Sequence, residues 1–154
     1  VVTRRGVGPA VALLVALVVG GASWLLWQLT TGQGELVPRP SWLAALMLVA
    51  MAAFVVGFAW PVRAYLDGRS GRRLDPLRAA RVVVLAQAAT LTGAAAVGWY
   101  AGQLAVVAGG LSLVANQDRV WRLAVLVGAA GVLALAGFVA QHWCRVDPRK
   151  NDED

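Results

Sequence analysis

Four stretches of this chain, residues 6–34, 40–62, 82–117 and 123–144, contain no Asp, Glu, Lys or Arg. A helix rises about 1.5 Å per residue and needs roughly 20 residues to cross about 30 Å of hydrocarbon, so each stretch is long enough to span a bilayer. Within them almost every residue is Ala, Val, Leu, Gly, Phe, Met or Trp. Backbone N–H and C=O groups cannot be left unpaired in lipid, which forces such runs to be helical. The expected fold is therefore all-α, an integral membrane bundle of four transmembrane helices at about 8–29, 41–62, 82–108 and 120–142. These form one domain over residues 1–145, followed by a charged cytoplasmic tail, 146–154. At 59% hydrophobic and 14% charged, the 154 residues are too apolar for a soluble domain of that size.

The third stretch is 36 residues long and exceeds what one upright helix needs. Gly109 and Gly110 are the expected stop, because paired glycines weaken a helix and supply a turn. Residues 111–119 would then form an outer loop or interfacial segment.

Arginine and lysine near helix ends are retained in the cytoplasm, so their distribution gives the orientation. Eleven of the fourteen lie on one side: Arg4, Arg5, Arg63, Arg69, Arg72, Arg73, Arg78, Arg81, Arg145, Arg149 and Lys150. The other side holds only Arg39, Arg119 and Arg122. Both termini are expected in the cytoplasm, with the chain in the inner (cell) membrane. Trp24, Trp27, Trp42, Trp99, Tyr100 and Trp121 fall near the outer boundary and Trp60, Tyr65 and Trp143 near the inner one, as interfacial belts do. A competing reading takes Arg4-Arg5, the apolar residues 11–19 and Gly20-Gly21-Ala22-Ser23 as a cleavable signal peptide. The apolar run continues through Leu25, Leu26 and Leu29, beyond the usual length of a signal core, and favours a retained span.

The net charge of +6 is concentrated in short segments flanking apolar runs, with none of the basic helices or aromatic-studded sheets that bind nucleic acid, so no nucleic-acid partner is expected. The expected partners are anionic lipids of the inner leaflet, which attract the arginine-rich loop 63–81, and a membrane-protein partner or a second copy. In that loop Asp75-Pro76 is a helix start: the carboxylate caps free N–H groups and Pro takes the first helical position. Arg78 and Arg81, three apart, would project from the same side, so Asp75, Arg78 and Arg81 are candidate anion or headgroup contacts, with snorkelling to headgroups as the ordinary use of such arginines.

Inside span three, Ala86, Thr90, Ala94, Gly98 and Gly102 recur at every fourth position. Small side chains on one face let two helices approach closely, making this the candidate packing face. An internal partner is favoured over a homodimer, with span four offering Ala124, Gly128 and Gly131. Gln87, Thr90, Thr92 and Gln103 are the polar groups in or beside that span. Interhelical hydrogen bonds account for them more simply than a polar path does, and no acid, Lys or Arg sits at mid-membrane depth to couple an ion. His142 and Cys144 are two residues apart and diverge on a helix, so no metal site is expected. All eight acids lie in loops or the tail, and neither a catalytic constellation nor a cofactor motif can be assembled. The chain reads as a non-enzymatic protein without cofactor.

The string LDPLRAARVVVLAQAATLTGAAAVGWYAG at 74–102, the outer VPRPSW at 37–42 and CRVDP at 144–148 resemble the signature of a family of small actinobacterial membrane proteins known only as a domain of unknown function. The resemblance implies four spans and, because members are often encoded near folate-pathway genes, a housekeeping setting. It implies no catalytic or binding residues.

Overall fold

The computed structural model describes residues 7–31, 41–66, 76–109 and 114–143. These form four helices: α1 (Pro9–Thr31), α2 (Trp42–Leu66), α3 (Pro76–Ala108) and α4 (Val114–Trp143), with no strand among the described residues. All four are long and apolar enough to cross a membrane. The fold is all-helical, as composition required.

Where helix and apolar run differ, the reason is that charge ends a membrane span without ending a helix. α3 begins at Pro76, six residues before the apolar run, on the proline suited to a first helical position. It ends at Ala108, and Gly109 follows in a turn. α4 starts at Val114 and carries Asn116, Gln117, Asp118 and Arg119 in its first turns, so the part of the expected outer loop from 114 onward is helical. α2 runs through Pro61 to Leu66. Pro61 has no N–H to give the carbonyl one turn back at Gly57, where the backbone is open and nothing lies within 4 Å of a built Cβ.

The helices stand in the order α1, α3, α4, α2. α3 packs along both α1 and α4, α4 packs along α2, and α2 touches α3 only slightly, whereas among the described residues the α1 backbone approaches neither α2 nor α4. This is an open row rather than a closed bundle, with α3 and α4 in the middle. The main core joins α2, α3 and α4 through Ala52, Val55, Ala86, Ala89, Leu133 and Ala140. A smaller cluster at the other end sets Trp27 of α1 and Leu104 and Val107 of α3 on Leu123 of α4. The edge helices expose their large side chains: Leu17 is 67% and Leu46 61% accessible, surface that acyl chains would cover.

Candidate functional site

The residues singled out from sequence fall at three places. The small-residue stripe of α3 is buried throughout: Ala86 and Thr90 are inaccessible, Ala94 is 5% accessible, and Gly98 and Gly102 are buried. It does not face one partner. A residue every fourth position advances about 40° around a 3.6-residue helix, so the stripe turns through roughly 160° between its ends.

At its start, Ala86 and Thr90 meet Gly137 of α4, where an added Cβ would lie 2.7 Å from the Thr90 nitrogen and 2.8 Å from the Ala86 oxygen. Gly93, off the stripe, meets Ala134 of α4 with equal closeness, 2.5 Å from a built Cβ to its nitrogen. At the far end, Gly98 and Gly102 lie on α1 instead. A Cβ on Gly98 would come within 2.9 Å of the Gly20 nitrogen, and one on Gly102 within 2.6 Å of the Gly20 oxygen. The GxxxG pair thus seats α1, and the expected α4 partners do not engage it: Ala124 and Gly128 are exposed, and nothing lies within 4 Å of a Cβ on Gly128 or Gly131.

Polar groups knit the same contacts. Ser23 of α1, fully buried, donates its hydroxyl to the Trp99 carbonyl of α3 at 2.9 Å. Nine residues earlier on α3, Thr90 donates to the Ala86 carbonyl at 2.9 Å and accepts from Gln141 Nε2 of α4 at 2.7 Å. The Gln141 Oε1 in turn accepts the Val7 N–H at 3.0 Å, tying the entry to α1 onto the end of α4. A side-chain amide can serve both sides of such a chain because it carries donor and acceptor together. Sequence reasoning passed over Gln141, Ser23, Gly93 and Gly137. Gln141 lay in the last turn of an assigned span, and its intramembrane position was the available signal.

The remaining candidates are scattered. Gln87 is half-buried, Thr92 exposed, and the side chain of Gln103, 6% accessible, makes no hydrogen bond to a described residue. Thr90 and Gln103 stand 13 positions apart, about 20 Å along the helix. They line neither of two grooves: one of about 490 Å³ between α1 and α3, bordered by Leu13, Gly20, Trp24, Gly98 and Ala105, and one of about 520 Å³ between α2 and α4, bordered by Val49, Gly57, Trp60 and Val132. Both grooves are apolar.

Arg81 is exposed on α3, the Arg78 side chain and Asp75 lie outside the described residues, and so do Cys144, the loop at 67–75 and the tail. His142 is exposed. Among the described residues no group of three His, Cys, Asp or Glu could hold a metal.

A family model described as a protein of unknown function, DUF3180, matches residues 12–148. The chain belongs to that family. The match begins inside α1 and runs beyond α4, so it takes in most of α1 and the whole of α2, α3 and α4. Comparison with curated proteins and with solved structures returned no match.

Proposed function

We propose that this DUF3180 protein is a non-enzymatic multi-pass protein of the inner membrane, with both termini cytoplasmic, that acts as an accessory or structural partner within a cell-envelope assembly. The carrying observation is the open row: α1 and α2 each pack against the rest of the chain along one side and offer the other outward. Only 11% of the α1 span and 22% of the α2 span are buried. Helix association in lipid depends on close packing and a few interhelical hydrogen bonds, and two edge helices in this state supply surface for both. The eleven basic residues on one side support the cytoplasmic placement of the termini. The actinobacterial, folate-neighbouring setting implied by the sequence resemblance is compatible with such a housekeeping role.

Photo-crosslinking tests this directly. A crosslinking residue at Leu14 on α1 or Leu46 on α2, both 61% accessible, should give one discrete protein adduct in cells. Adducts to lipid alone from both positions would overturn the proposal. A transporter or channel lined by Gln87, Thr90 and Gln103 is less well supported, because Thr90 is committed to Ala86 and Gln141 and the grooves are apolar. Binding of inner-leaflet headgroups by Arg78 and Arg81 rests on sequence spacing alone.

A further inference from the structure

The buried face of α4 is a stripe that runs through Leu123, Leu126, Ala130 and Leu133, each 2% accessible or less. One turn before Leu123 the same stripe places an arginine, Arg119. Its Nε is buried and makes no hydrogen bond, and no ion pair to it exists among the described residues. Arg119 as a whole is half-buried, so the side chain keeps some exposure while its sheltered Nε donor lacks an acceptor, which costs free energy. The neighbouring described carboxylate, Asp118, is 80% accessible and pairs with Arg122 at 3.5 Å.

Arg122 is itself held, with its guanidinium 5.5 Å from the ring centroid of Trp42 at the start of α2. Two arginines three apart therefore stand at one end of the molecule, one braced on an aromatic ring and one with a sheltered, unused donor. The apolar part of α4 begins at Gln117, so both sit within the first turns of the span, at the depth of lipid headgroups.

We infer that Arg119 and Arg122 form an anion site for the phosphodiester of a membrane lipid, at the end of the molecule opposite the arginine-rich loop. A guanidinium presents its Nε–H and one terminal N–H as a parallel pair that matches two phosphate oxygens. The phosphodiester leaves two such oxygens free, and its acyl chains run beside the apolar helices. Inorganic phosphate has the same oxygen chemistry and is separated from lipid by the test.

The full chain, purified in uncharged maltoside micelles, is titrated with dioctanoyl phosphatidylglycerol, with dioctanoylglycerol and with inorganic phosphate, and adducts are counted by native mass spectrometry. Phosphatidylglycerol should bind the wild type more tightly than dioctanoylglycerol. Arg119→Gln should weaken it about tenfold or more, as expected for loss of charged hydrogen bonds. Arg119→Lys should fall between, Arg122→Gln should weaken it too, and Arg81→Gln at the opposite end should leave the first-bound lipid unchanged. Inorganic phosphate binding with the same arginine dependence would uphold the site and make a free anion its occupant. Equal binding of dioctanoylglycerol, or wild-type binding by the folded Arg119→Lys and Arg122→Gln variants, would overturn it. Glu35, the acid between the first and second apolar stretches, lies outside the described residues; a Glu35→Gln variant that loses the same stability as Arg119→Gln, non-additively, with lipid binding intact, would also overturn it, because the guanidinium would then belong to that carboxylate.

Discussion

Replacing Gly98 by alanine should separate α1 from α3. The added methyl carbon would lie 2.9 Å from the Gly20 nitrogen and 3.0 Å from the Ala16 carbonyl carbon, and close on the Ala16 oxygen as well. All three are backbone atoms that cannot rotate aside. Relieving the closest of these, the Ala16 oxygen, requires the helices to part by roughly 1 Å or more, and a gap of that size forfeits about half of each dispersion contact along the seam. Overpacking of this kind costs about 1–3 kcal/mol. The Ser23 hydrogen bond to Trp99 crosses the same seam, and such bonds average about 0.6 kcal/mol in membrane proteins. Against this, alanine is the better helix former by about 0.8–1 kcal/mol. The control is Gly128→Ala on α4, which gains the same propensity with nothing within 4 Å of the new carbon. The net difference between the variants should be about 2–3 kcal/mol, read as a lower unfolding midpoint for Gly98→Ala when SDS is titrated into neutral micelles. Gly98→Ala as stable as Gly128→Ala would refute the close seam.

Gly137→Ala should be less stable than Gly128→Ala by about 1–3 kcal/mol in the same titration, because its methyl would meet the Thr90 and Ala86 backbone. The Thr90→Val and Gln141→Leu cycle should show a coupling of about 0.6–1.7 kcal/mol, and either single variant should speed amide exchange at Val7. Leu133→Ala, at an inaccessible position, should cost about 1–3 kcal/mol, the low side of the range in water because lipid tails are as apolar as leucine and mainly the cavity remains. Leu135→Ala, 64% accessible, should change stability by less than about 0.5 kcal/mol.

The four helices were legible because uncharged length in lipid leaves the backbone no alternative. Which faces meet was not. α1 and α2 are apolar all round, and an amphipathic stripe cannot mark an inside when the outside is hydrocarbon; Leu17 and Leu133 look alike in sequence, yet one is 67% accessible and the other inaccessible. Residue size carried more information than hydropathy. The stripe from Ala86 to Gly102 is buried along its whole length, yet its partner changes from α4 to α1 because spacing by four drifts around the helix. The link from Val7 through Gln141 to Thr90 depends on a distance of 134 positions, which no local pattern contains. Arg119 was read from sequence only as a charge outside the membrane, whereas its helical register puts it on the buried face.

The account stands on four passes through lipid with the arginine-rich loop inside the cell. Single cysteines at Ser70 and at Ser112, each with Cys144 replaced by serine, test it with a membrane-impermeant maleimide on intact cells. The cysteine at 112 should label at once and the one at 70 only after the membrane is opened; labelling of position 70 from outside would contradict the topology.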